Sequence, residues 1–489
     1  MKGIIFIFLL VFAIGCKKDR NALETSGTLE FSTSEITFDT VFTAIGSATR
    51  RFKVFNRHKN DIEISSISLE TGGNSKFRIN IDGESGAQKN YRVAGEDSFF
   101  VFVEVTIDPN NLNNPFVIEE NLQFLTNGAT QNVKLTAWGQ NAHYYRPSEI
   151  IEGLPPLSHI VEYIKKPITD TDLVWKADKP HVIYGYLIIN PPLRLNIEAG
   201  AQIHFHAGAG LWIHPGAAIR SIGKKGEEVV FQGDRLEKAF AENSGQWDRI
   251  WINEGAESYF EHTIIKNGYV GIQAEPFPFE SNRTISDKKL ILQKTTIKNM
   301  VGIGMLVRNF NVDAENLVIG NIGNYNIAID GGGKMDFKHC TFGNYWSGNN
   351  RQQPLFFASN YFTNADGNQQ NENLHAYFGN CVLYGNKDEE LEFDSTSSAT
   401  FNVFFDHCVL KTELPTTWPQ RFKNCVVNPD NGTSFPVFYD PSNGDFSLSS
   451  TSAAIEKGNP DVLGQMKQQT TIREKTRSIP PDIGAYTWK

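Results

Sequence analysis

Two hydrophobic rhythms divide this chain. Across residues 27–140, apolar and polar side chains alternate in short runs at 29–31, 36–38, 51–55, 62–69, 77–81, 99–107, 121–125 and 133–137. Successive strand side chains point to opposite faces, so such runs, parted by Gly, Asn and Asp, predict a β-sandwich. Beyond residue 260 strict alternation ends. An apolar residue is followed three positions later by Cys, Thr or Leu, and two later again by another apolar residue. The motif centres on Thr263, Thr295, Leu317, Cys340, Cys381, Cys408 and Cys425, in steps of 32, 22, 23, 41, 27 and 17 residues.

Steps of about 20 to 25 residues suit one coil of a solenoid, whose repeats bury apolar surface only against their neighbours. Parallel strands of successive coils stack about 4.8 Å apart, so like positions lie above one another. The motif predicts an inward column of Phe (Phe260, Phe337, Phe378, Phe405 and Phe422) beside a column of small Cys or Thr side chains. Its three-residue spacing breaks the period of two, which puts a bend before each Cys or Thr, often at His or Asn. A second turn is expected at Asn267, Asn299, Asn321, Asn344 and Asn386, because Asn tolerates left-handed backbone angles. The longer steps must hold insertions, at 275–289 and 345–373.

The segment Leu193-Arg194-Leu195-Asn196-Ile197-Glu198-Ala199-Gly200-Ala201-Gln202-Ile203-His204-Phe205 resembles the opening coil of the pectin-lyase-like superfamily. Leu211-Trp212-Ile213-His214-Pro215-Gly216 continues the likeness. Asp440-Pro441-Ser442-Asn443-Gly444-Asp445-Phe446 and Pro481-Asp482-Ile483-Gly484-Ala485-Tyr486 resemble its closing segment. The resemblance implies an all-β fold, a right-handed parallel β-helix over 185–489, similar to β-helix lipoproteins of Bacteroidota. Thr40 to Ser47 with Phe52 to Asn56 resembles the Ig-like modules of the ASH and major-sperm-protein families, which implies a spacer or docking role for 27–140. Pro147, Pro155, Pro156 and Pro167 mark 141–184 as a semi-rigid linker.

The first residues change the setting. Lys2, an apolar run from Ile4 to Val11, and Ala13-Ile14-Gly15-Cys16 resemble a lipoprotein signal and its lipobox. The run is too short to span a bilayer. The expectation is a signal peptide over 1–16, a lipid anchor (palmitate included) on Cys16, a tether over 17–26, and attachment to the outer membrane of the cell envelope. A formal charge of −9 with no sustained basic run argues against nucleic acid as partner. Cys340, Cys381, Cys408 and Cys425 lack CxxC spacing, which excludes a zinc ribbon or thioredoxin motif. In-register neighbours come within disulfide range, but parallel side chains reach the required dihedral with difficulty, which favours free thiols and leaves the pairing open.

Candidate chemistry lies in the insertions. Tyr345, Trp346, Arg351, Phe356, Phe357 and Tyr361, set among Asn and Gln, offer rings for sugar faces and amides for hydroxyls. Lys334, Arg308, Asp330 and Asp394, with Lys266 and Lys298, are charges near the expected groove. Lyases of the resembled superfamily use Lys or Arg as base, often with calcium held by acidic residues. The Asn-Thr-Asp and Gly-His-Gly tripeptides of its hydrolases are absent. His204 and His206 are expected to face outward as exposed strand residues, with no metal. The resulting expectation is a non-catalytic envelope lipoprotein that binds extracellular glycan through a loop-walled face, with no cofactor. The alternatives are a polysaccharide lyase acting on uronates, with calcium, and an adhesive protein docking an envelope protein through its Ig-like module.

Overall fold

The computed structural model describes residues 22–488 apart from 44–45, 109–115, 165–170, 254–256, 279–288, 349, 365–366, 418 and 431. The signal segment, Cys16 and most of the 275–289 insertion therefore lie outside the described residues. The chain forms two compact units, 1–141 and 142–489.

The first unit is an Ig-like β-sandwich. One sheet runs in the order Glu30–Phe31, Arg50–Phe55, Ser98–Val105, Phe77–Ile81, Glu84–Ser85; the other runs Glu35–Phe42, Ala129–Gln140, Phe116–Thr126, Ile62–Leu69, Gln88–Val93. Alternation dictates the packing. In Ser98–Val105 every second side chain is buried, and Phe99, Val101, Val103 and Val105 join Phe38, Phe77 and Phe124 in one core. Strand Gln88–Val93 was not legible in the sequence, because its residues are mostly polar and exposed.

The second unit is a parallel β-helix with three faces. Sheet one stacks eleven strands from His143–Tyr145 to Val426–Val427, sheet two nine from Leu157–His159 to Leu391–Asp394, and sheet three ten from Asp172–Trp175 to Phe422–Lys423. Connections between parallel strands take the right-handed sense almost without exception. The expected Phe column is in register: Phe260, Leu292, Ala314, Phe337, Phe378, Phe405 and Phe422 succeed one another in sheet three. Ring centroids lie 4.8 Å apart for Phe337 and Phe378, and 4.9 Å for Phe378 and Phe405.

The bend between sheets three and one is a single left-handed residue. His262, Lys294, Asn316, His339, Asn380, His407 and Asn424 all have φ between 43° and 55°. Except after Asn316, which Leu317 follows, the next residue is the Thr or Cys of the motif, and its hydroxyl or thiol reaches the carbonyl of the column residue one coil below. Thr295 reaches Phe260 at 3.3 Å, Cys381 reaches Phe337 at 3.5 Å, and Cys408 reaches Phe378 at 3.2 Å. The four cysteines are free thiols. At the second turn, Asn267, Asn299 and Asn321 are left-handed as expected. Asn344 and Asn386 are not; Asn344 instead uses its amide to hold the Ile322 carbonyl at 2.9 Å.

Two boundaries differ from the sequence reading. The Pro-containing stretch 141–184 is no linker: His143–Tyr145, Leu157–His159 and Asp172–Trp175 are the first coil, each paired in parallel with the next. Pro147, Pro155 and Pro156 lie between these strands, where a missing N–H costs nothing; Pro167 lies outside the described residues. The closing segment does not cap the end. Residues 436–488 run back over the outer surface of sheet one as a strap, with Phe446, Leu448, Ile483 and Ala485 packed on Val318, Val382 and Val409. The left-handed residues dock it. Asn380 bonds Asn459, Asn316 bonds Thr470 and Arg477, and Lys294 pairs with Glu474 at 2.6 Å.

Candidate functional site

A cleft of about 650 Å³ opens beside sheet one. Its floor is the second-turn ladder, Asn299 and Asn321. One wall is Glu242, Asn243 and Ser244, from the insertion between Val229–Gly233 and Ile250–Ile252. The other is Tyr345 to Gly348, and the strap closes one end with Ser442 to Gly444. The position is set by the repeat: Lys266 and Lys298 are register partners on successive coils, each followed by a left-handed Asn.

Charge in the cleft is organised around Glu242. Its carboxylate accepts from Lys298 at 2.8 Å, Lys266 at 3.1 Å and the Asn299 amide at 2.7 Å. Burial works to raise this carboxyl, but the bond and charge of Lys298, joined by Lys266, outweigh it and hold it below its ordinary value. Two ammonium groups facing one carboxylate leave this wall positive by one charge. Tyr345 is the fixed part of the aromatic wall. Its ring meets Phe435 edge-on at 5.5 Å and Phe438 at 6.2 Å, and burial pushes its hydroxyl pKa upward. Trp346 follows at the turn, its N–H held by Asn344 at 3.2 Å, its ring against Gly348, where a Cβ would stand 2.6 Å away.

The remaining expected ligand residues do not meet here. Arg351 is a buried structural cation, paired with Glu390 at 2.6 Å and donating to Asn386 at 2.9 Å. Phe356 belongs to the core, fully buried against Phe378 and Phe405. Phe357 lies on the outer side of sheet two against Tyr325, with centroids 5.5 Å apart. Tyr361 donates to Asp394 at 2.5 Å on a hairpin. Period-two strand geometry sends neighbours to opposite faces, so a run of nearby aromatics cannot form one surface.

The charged candidates also divide. Arg308 binds Asp330 and, at 3.0 Å, the buried Glu275, while its guanidinium lies 5.1 Å from the Phe362 centroid. Register continues this corner column through Ser359 to Asp394. Lys334 stands on sheet three, beside Asn311 and His375, and pairs with none of these three among the described residues. His204 is buried, not exposed: its ring meets the Gly233 carbonyl at 2.9 Å. His206 is partly exposed and bonds Asp234 at 2.7 Å. Among the described residues no three His, Cys, Asp or Glu side chains are grouped to hold a metal. Glu242 was missed in the sequence reading. Its one signal was the polar run Glu242-Asn243-Ser244-Gly245 between two strands, without a pattern to place it.

No family model matches the chain, and no curated protein is similar to it. A protein of unknown function from Porphyromonas gingivalis W83 is similar over 26% of this chain and 61% of its own, at 10% identity and a TM-score of 0.18. An ASH/PapD-like domain of human CEP192 is similar over 23% of this chain and 84% of its own, at 11% identity and a TM-score of 0.16.

Proposed function

We propose that this chain is a cell-envelope lipoprotein, anchored through Cys16, that binds extracellular glycan without transforming it. The β-helix is read as pectin-lyase-like. The observation that carries the reading is the cleft: an aromatic wall of Tyr345 and Trp346 facing an amide floor of Asn299 and Asn321. Sugar rings present apolar C–H faces and hydroxyl edges, and such a cleft answers both. A lyase reading gains nothing from the corner column, because the Arg308 guanidinium is taken up by Glu275 and Asp330.

The purified chain on a glycan array is expected to retain a defined set of polysaccharides. Trp346→Ala should weaken that binding about tenfold, the worth of one stacking contact of about 1.4 kcal/mol. Arg351→Lys, which alters a buried pair that does not itself line the cleft, should change stability and leave selectivity alone. An array without binders, or equal retention of the Trp346→Ala variant, sinks the reading.

A further inference from the structure

The sandwich sheet containing Arg50–Phe55 and Ser98–Val105 has an outer face of unexpected make-up for so acidic a chain. Alternation sends Arg51, Lys53 and Phe55 outward on one strand, and Phe100 and Phe102 on its neighbour. Cross-strand register sets Arg51 beside Phe102 and Lys53 beside Phe100. The cations lie over the rings: Arg51 is 5.2 Å and Lys53 4.8 Å from the Phe100 centroid, and Arg57 is 4.1 Å from that of Phe55. Arg57 and Arg78 are paired, with Glu30 at 3.0 Å and Glu104 at 3.4 Å. Arg51 and Lys53 have no carboxylate partner among the described residues, so the face carries excess positive charge on a chain of net charge −9.

The chain reaches this unit by a short route. Leu23 is already bridged to Asp61, which directly precedes Ile62–Leu69 of the other sheet of the sandwich. Leu23 lies seven positions after Cys16, a reach of about 25 Å at full extension. A unit tied that closely to a bilayer has the headgroup layer as its constant neighbour. Unpaired cations with half-exposed aromatic rings are the side chains that this layer accepts: cations for anionic headgroups, rings for the interface.

We propose that the face bearing Arg51, Lys53, Phe100 and Phe102 rests on an anionic lipid surface. For its geometry this rests on the Cys16 anchor, to which the contact adds the attraction between surface cations and anionic headgroups. An acidic protein partner is the competing occupant. The membrane is favoured because the tether fixes its distance, whereas nothing in the chain brings a protein to this face.

The test runs without Cys16. Residues 17–489, which keep both folded units, carry an N-terminal hexahistidine and are held on vesicles by a nickel-chelating lipid. Brief acetylation then reads the accessibility of Lys53 against Lys89, which is exposed on the opposite sheet. On phosphatidylcholine vesicles containing phosphatidylglycerol, Lys53 labelling should fall severalfold relative to phosphatidylcholine alone, with Lys89 unchanged. High salt should restore it, as screening predicts, and so should Arg51→Glu with Phe100→Ala. Equal Lys53 labelling on both vesicles overturns the proposal, as does protection that appears only when an envelope protein extract is added. The mass of the mature N-terminus tests the Cys16 anchor separately.

Discussion

At the residue scale, the bend between sheets three and one explains the sequence motif. A single left-handed residue turns the chain, and the carbonyls below it must find donors. Thr and Cys are small enough for the interior and supply one, so Thr263, Thr295, Cys340, Cys381 and Cys408 share a role that neither size nor hydrophobicity alone would assign. Cys381→Ala should cost about 1–2 kcal/mol in urea unfolding, from the lost bond and the small cavity. Cys381→Thr should cost less, because it keeps a donor. Equal losses would show that packing alone sets this column.

At the scale of elements, the strap is the distinctive part. Its fit depends on two glycines under Phe446: a Cβ on Gly320 would stand 2.0 Å from the ring, and one on Gly343 2.3 Å. Arg477, within the strap itself, is almost wholly buried, donating to Asn316 at 2.6 Å, and burial lowers its pKa to about 9. Gly320→Ala should therefore displace the strap, at a cost of about 1–3 kcal/mol. Limited proteolysis should then cut within 436–488 while strand content by circular dichroism persists. Adding Phe446→Ala removes the clash and should restore protection. The outcome that counts against this account is unchanged cleavage in the single variant. The insertions show the same logic in reverse. Arg351 and Phe356 look like surface chemistry in the sequence, yet they hold their loop to the core.

For the whole molecule, buried histidines make the β-helix pH-sensitive. Burial lowers His181 and His204 from 6.5 to about 4, and holds His339 well below its ordinary value. Above pH 6.5 the rings are neutral both folded and unfolded, and full stability is present. As pH falls from 6.5 towards 4, the unfolded chain binds protons that the folded chain refuses, so stability is lost through that window. A drop of this size is worth about 3 kcal/mol each for His181 and His204. The paired carboxylates Glu242 and Glu474, whose pKa values are lowered by their lysines against the effect of burial, act in the same direction. The urea midpoint of the β-helix should drop steeply between pH 7 and about pH 4.5, and His204→Phe should flatten that slope. A slope unaffected by His204→Phe would assign the acid sensitivity elsewhere.

The sequence by itself determined the periodic features. Alternation marked the sandwich strands, and the repeat marked the Phe column, the bend and the Cys/Thr column, because stacked parallel strands force like residues into register. Tertiary structure alone decided the rest. The first coil at 143–175 hides behind prolines because its partner strands, not its own pattern, make it a strand. The strap's path is set by contacts between residues more than a hundred positions apart, such as Asn316 with Thr470. The cleft joins Glu242, Lys298, Trp346 and Asn443 from four separate stretches. Of the expected aromatic run only Tyr345 and Trp346 arrived, joined by the expected lysines Lys266 and Lys298, because a local run fixes composition, whereas the face each side chain joins is fixed by the coil beneath it.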